Sequence, residues 1–272
     1  MLIVMNDALE KCGRDAASTD LRTETRRRQY LDALGITRWE PRQAVDASPM
    51  EVTGTPPGFT APAIVPAGPV GLEHPSNVAL DSRDWAELEA AVRSCTKCSL
   101  HATRTQTVFG VGHRRAQWMF IGEAPGGDED RQGEPFVGRA GQLLNAILFA
   151  IGLKREEVYI ANVLKCRPPG NRDPQPEEVI QCEPYLLRQI ELIKPRLIVA
   201  LGRHAAHSLL KTEVPLGKLR GQRLSYHGTP LIVTYHPAYL LRNPADKRKV
   251  WDDLCLAKTV MAAMPDPGRE KS

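Results

Sequence analysis

Residues 117–127 read QWMFIGEAPGG, an apolar run that breaks directly into a glycine-rich turn. A strand with one wet face alternates apolar and polar side chains, and this run does not. Trp118, Met119, Phe120 and Ile121 follow one another without a polar gap, as in strands of a parallel sheet covered on both faces. Three later runs share the pattern: Val158–Val163, Arg196–Leu201 and Leu231–Thr234. Helical periodicity fills the gaps at Ala140–Ile151, Pro176–Ile193 and His204–Leu210, and a last helix runs from about Asp246 to Met261. A further helix, Asp84–Ser94, precedes the first strand with Trp85, Leu88 and Val92 on one side. The alternation predicts an α/β chain, a three-layer α/β/α sandwich with a central four-stranded parallel sheet.

Unusual residues fall at the ends of these strands. GEAPGG, Gly122–Gly127, follows the first; Asn162 ends the second; Gly202, in GRHA, ends the third; HPAYLLR, His236–Arg242, follows the fourth. Ligands of open parallel sheets bind beyond the strands' carboxyl ends, so these signals converge on one edge. The glycine-rich turn is no Walker phosphate loop, because no Gly-Lys-Ser/Thr follows and Asp128–Asp130 is acidic. Phe136, in the loop QGEPFVGRAG, is placed to stack on a flat ligand, or to anchor the loop in the core. Asn162 carries a donor and an acceptor that can read a polar edge, or can cap its turn. In HPAYLLR, a cluster of Tyr239, Leu240 and Leu241 before Arg242 suits an apolar wedge in a base stack with a guanidinium on phosphate.

The remaining sequence bounds the class. No stretch of the 272 residues approaches the roughly 18 consecutive apolar residues of a membrane helix. Met1–Met5 is too short for a signal peptide, so the chain is expected in the cytoplasm. Residues 1–82 hold 8 Lys/Arg and 11 Asp/Glu, and residues 83–272 hold 28 and 21, so the positive balance sits on the foldable part. That suits a polyanionic partner, and equally a mildly basic cytosolic protein. Residues 1–42 read as a tail with an accessory helix, 43–82 as a proline-rich linker, 83–264 as the main domain and 265–272 as a tail. Six cysteines occur, and four form C-x2-C (Cys95, Cys98), then Cys166 and Cys182. Disulfides are improbable in a reducing compartment. Four thiolates hold either Zn²⁺ or a [4Fe–4S] cluster, and the spacing leaves both open.

GEAPG, GEPFVGRAG, NVLKCRPPGNRDP and HPAYLLR, in this order and with all four cysteines, closely resemble the family 4 uracil-DNA glycosylases, the iron–sulfur branch of that superfamily. The resemblance covers roughly residues 87–260. It implies base-excision repair: hydrolysis of the bond between uracil and deoxyribose in DNA, leaving an abasic site. It implies a [4Fe–4S] cluster, rather than zinc, on Cys95, Cys98, Cys166 and Cys182. The implied uracil pocket is Gly122, Glu123, Ala124, Glu129, Phe136, Asn162 and His236, with Glu123, Asn162 and His236 catalytic. Leu240 and Arg242 would enter the duplex. The best-known branch of the superfamily orients water with an aspartate where this chain has Ala124. Water activation is therefore left to Glu123, to Glu129 or to the substrate's own phosphates. No inserted basic loop follows Arg167, and no motif positions a lysine, so neither cross-linking to DNA nor strand cleavage is expected. The expected state is a monomer whose N-terminal extension is free to bind another protein. Two rivals stand beside this reading: a non-catalytic iron–sulfur protein that binds nucleic acid or scaffolds a larger machine, and a hydrolase of free nucleosides.

Overall fold

The structure, a computed structural model, describes residues 85–265. The accessory helix and linker expected before residue 83 lie outside the described residues, as does the tail after residue 265.

The four apolar runs form the parallel centre of one sheet. Its strands are β1 (Val111–Gly112), β2 (Trp118–Gly122), β3 (Tyr159–Asn162), β4 (Leu197–Leu201), β5 (Leu224–Tyr226) and β6 (Thr229–Thr234). Their spatial order is β1-β3-β2-β4-β6-β5. The inner four are parallel, while β1 and β5 pair antiparallel at the two edges. The sheet is thus six-stranded and mixed, wider than the four strands expected. Both extra strands are two or three residues long and only partly buried, so no apolar run announces them.

The unbroken apolar runs are explained by two cores, one on each face. Met119, Ile121, Tyr159, Ala161, Ile198, Ala200, Leu231 and Val233 point to one face. Trp118, Phe120, Ile160, Leu197, Val199 and Ile232 point to the other. This is the period of two of a pleated strand with apolar cover on both sides. On the first face lie α4 (Pro176–Ile193), through Leu186, Ile190 and Ile193, and α5 (Arg203–Leu210), through Ala205, Ala206 and Leu209. On the second lie α3 (Arg139–Ala150), through Leu143, Leu144 and Leu148, and α8 (Lys247–Ala262), through Val250, Leu254 and Ala257. Helix α1 (Trp85–Arg93) packs Leu88 and Val92 on Tyr185 of α4. The three layers match the expectation.

Three further helices are short. The acidic run is α2 (Gly127–Gln132), whose Asp128, Glu129 and Asp130 in the first turn suit the positive end of the helix dipole. Leu216–Leu219 forms α6. HPAYLLR is α7 (Pro237–Arg242), with Pro237 in the first turn where its missing N–H costs nothing. A helix turns successive residues to different sides, and this corrects one expectation. Leu240, expected at the surface, is 0% exposed and packs in the second core. Leu241, 39% exposed, stands on the outer side.

Candidate active site

Strand register sets the site. Gly122 pairs with Asn162 across β2 and β3, and Leu201 with Thr234 across β4 and β6, so the turns that follow leave one edge at one level. They wall a cleft of about 770 Å³ lined by Glu123, Ala124, Glu129, Phe136, Asn162 and His236, among others. The cleft thus gathers Gly122's neighbours from four strand ends, as the sequence suggested.

Gly122 is a glycine for a steric reason. A Cβ there would lie 2.4 Å from Asn162 Oδ1 and 2.6 Å from Phe136 Cζ. The bare backbone lets the amide and the ring close over the strand end. Asn162 is 2% exposed, and its Oδ1 is buried without a hydrogen-bond partner. Leaving a buried acceptor unpaired costs about 1–3 kcal/mol, so such an atom calls for a functional explanation.

Phe136 is buried with φ of 55°, a left-handed conformation uncommon for a bulky residue. Two neighbours hold it there. Gly141 in the first turn of α3 lets the helix press on it, since a Cβ would meet Phe136 O at 1.8 Å. Glu129 fixes the turn that follows: its Oε1 accepts from Val137 N–H at 3.0 Å and Gly138 N–H at 3.2 Å, and its Oε2 from Gly126 N–H at 3.1 Å. Glu129 lines the cleft, but its carboxylate is engaged in tying the two glycine-bearing loops together.

The Phe136 ring stacks on His236 at 5.5 Å between centroids, with 30° between planes. His236 caps the N-terminus of α7, its Nδ1 accepting from Ala238 N–H at 3.1 Å. That bond fixes the tautomer: the proton of the neutral ring sits on Nε2. Burial lowers the pKa of this imidazole to about 4, with Arg242 and His204 adding to the effect. At neutral pH His236 is therefore an uncharged donor.

Glu123 lines the same cleft. Burial raises its carboxyl to about 7, Asp173 pushing the same way and Arg203 opposing. Glu123, Asp173 and His204 each place a ligating atom within 4.8 Å of the other two, the one such set of His, Cys, Asp and Glu among the described residues. The sequence reading did not single out Asp173 or His204. Each lay inside a motif, GNRDP and GRHA, but only the fold brings the two loops together. Tyr235 was missed as well; it lines the cleft stacked on Tyr239 at 4.8 Å. Arg242 is exposed at the rim.

The cysteines gather behind the cleft wall. Cys166 and Cys182 are each 3% exposed and pack with Leu100 and Leu164, while Cys98 and Ala124 border the same cluster. Burial raises the Cys166 thiol, the nearby Arg104 works against this, and Cys98 and Cys95 push upward. Burial lifts Cys182 to about 12, and its sulfur neighbours are Cys166 and Cys98. Arg104 Nη1 donates to Cys166 Sγ at 3.1 Å. Cys98, Cys166 and Cys182 thus share one corner, and Cys95, packed beside the neighbouring cluster, is near enough to act on Cys166. Beside them the fully buried Lys165 donates from Nζ to the Asn162 carbonyl at 2.9 Å and to Gln189 Oε1 at 2.7 Å.

Among the described residues no helix is long and apolar enough to cross a membrane. Residues 109–255 match the model of the Uracil DNA glycosylase superfamily. Similar proteins include a type-4 uracil-DNA glycosylase of Archaeoglobus fulgidus, 51% identical over 161 residues, 56% of this chain and 81% of the relative. Another, of Thermotoga maritima, is 47% identical over 172 residues, 62% of this chain and 90% of the relative. A third, of Saccharolobus solfataricus, is 45% identical over 183 residues, 64% of this chain and 85% of the relative. A model match across more than half the chain, with relatives of this likeness covered over 81% or more of their length, shows the lineage: the chain belongs to the uracil DNA glycosylase superfamily, in its type-4 branch.

Proposed function

We propose that this protein excises uracil from DNA, hydrolysing the N-glycosidic bond and leaving an abasic site for repair. The observation that carries this is the buried, unpartnered Asn162 Oδ1 beneath the Phe136 ring and beside a neutral His236. Uracil offers N3–H, which Oδ1 accepts. Cytosine has a lone pair at N3, which would face Oδ1 acceptor to acceptor and leave buried groups unpaired. Phe136 supplies the stacking plane.

The nucleotide leaves the base stack at a cost of a few kcal/mol. The C1′–N1 bond breaks with its electrons going to the base, and charge grows at uracil O2. His236 Nε2–H donates to that oxygen; an uncharged donor aimed where charge develops stabilises the transition state without pre-forming an ion pair. Glu123, with a carboxyl near neutrality, is suited to take the proton of the attacking water. The exposure of Leu241 and Arg242 on α7 supports these two as the pair that meets DNA, beside the Leu240 and Arg242 expected from the sequence.

The four cysteines fit a [4Fe–4S] cluster better than zinc. Four thiolates about 2.3 Å from a zinc ion stand roughly 3.8 Å apart. No three of these thiols come within 4.8 Å of one another, so the set suits a larger group. When bound, the cluster would staple the end of α1, the loop after β3 and α4.

The test is incubation of the full-length protein with a labelled oligonucleotide holding one deoxyuridine, followed by alkali. Cleavage at that position, absent with thymidine or deoxycytidine and lost in Asn162→Ala, is the expected result. No cleavage by an iron-loaded preparation would turn the reading to a binding module. Release of uracil from free deoxyuridine would turn it to a nucleoside hydrolase.

A further inference from the structure

Recognition of the base uses Asn162, Phe136 and His236. It does not use Asp173 or His204, which stand at the cleft mouth beside Glu123. Three separate segments deliver this trio: Glu123 from the end of β2, Asp173 from the loop between β3 and α4, and His204 from the first turn of α5. His204 Nε2 lies 2.9 Å from Arg203 Nη2 and 3.3 Å from Asp173 Oδ2. It accepts from the guanidinium when the ring is neutral and donates to the carboxylate when the ring is protonated. Asp173 is 68% exposed while Glu123 is half-buried, so the trio runs from the cleft wall to solvent. Independently, the buried acceptor of Asn162 marks the same cleft as one that receives a ligand.

Resting on the uracil-excising reading above, we propose that Glu123, Asp173 and His204 act as one proton-accepting unit for the water that attacks C1′. Glu123 is the catalytic base, and Asp173 and His204 are positioning residues. The C1′–N1 bond breaks and its electron pair leaves on uracil. A lone pair of water forms the C1′–O bond, and the displaced O–H proton passes to Glu123. Asp173 and His204 carry that proton out to solvent, and the uracil anion regains one from water. The charged and titratable groups facing Glu123 are Asp173 from the loop before α4 and Arg203 and His204 from α5. Asp173 raises the affinity of Glu123 for a proton and Arg203 lowers it. Burial lowers the pKa of the His204 imidazole, with Asp173 opposing and Arg203 and His207 adding. Removing the Asp173 charge therefore lowers the pKa of Glu123 and weakens it as a base.

The experiment is single-turnover uracil excision by the full-length protein from about pH 5 to about pH 9. The wild-type rate should rise through a limb near 7. Glu123→Gln should remove the limb and lower the plateau about 100-fold. Asp173→Asn should move the limb to lower pH and lower the plateau about tenfold. Asp173 is largely exposed, so this variant keeps the fold, and a merely structural role would leave the limb in place. His204→Gln is the second variant, with a lowered plateau expected. An Asp173→Asn enzyme with the wild-type limb and plateau overturns the unit and leaves uracil excision standing. Activity lost to a chelator and restored by Mg²⁺ also overturns it, and gives the trio to a cation. A wild-type protein that excises no uracil at any pH sinks the underlying reading and the unit with it.

Discussion

Ala124 faces two neighbourhoods. On one side it lines the base cleft; on the other it borders Leu100, Leu164, Cys166 and Cys182. The cleft tolerates an unpaired acceptor on Asn162, a left-handed Phe136 and a carboxyl near neutrality on Glu123. The cysteine corner has apolar packing, a guanidinium on sulfur and a lysine with two acceptors. Side chains that wait for a transient partner carry local cost; side chains that hold a permanent one are paired and packed. The same β2 turn serves both, so mutations on its two sides should separate activity from stability.

Asn162→Ala should show the largest separation. Excision should fall on the order of 1000-fold, since a lost transition-state donor or acceptor typically costs 100- to 1000-fold, while the melting temperature stays near wild type. Cys182→Ser should do the reverse, with iron content lost and the melting temperature sharply lower; a variant that keeps its iron and melts normally would break the comparison. Leu240→Ala should cost about 2–5 kcal/mol in a urea melt, as for other fully buried leucines, whereas Leu241→Ala should leave the melt alone and weaken binding to uracil-containing duplex. His236→Ala should slow excision about 100-fold with DNA affinity retained; because the wild-type ring charges only below about 4, it should contribute no limb to the wild-type profile at neutral pH.

The smallest effect concerns Glu123 and stability. Its pKa rises on folding from 4.5 to about 7, so the folded chain holds a proton that the unfolded chain releases. Stability is undiminished below 4.5, falls as pH rises towards 7, and then levels. Glu123→Gln removes that loss. Its gain in melting temperature over wild type should grow across this window, and a constant gain would argue against the raised pKa.

The four central strands were legible because burial on both faces leaves an unbroken apolar run, and α4 was read to the residue from its periodicity and Pro176. The edge strands were not, since Val111–Gly112 and Leu224–Tyr226 are short and half-covered. Asn162 and His236 stood out by their place at strand ends. Asp173 and His204 did not, because a proton path across two loops has no signature along one. Leu240 and Leu241 are neighbours of identical chemistry, and only the helix they share decides which faces water.

Gly122 offers a practical use of this geometry. One methyl group at that position would occupy the space between the Asn162 amide and the Phe136 ring, filling the base pocket from its own wall. Arg242 at the rim and the cysteine corner would be untouched. A Gly122→Ala protein would then visit DNA without editing it, turning an eraser of uracil into a decoy that occupies the same strands and reports where the active enzyme would have gone.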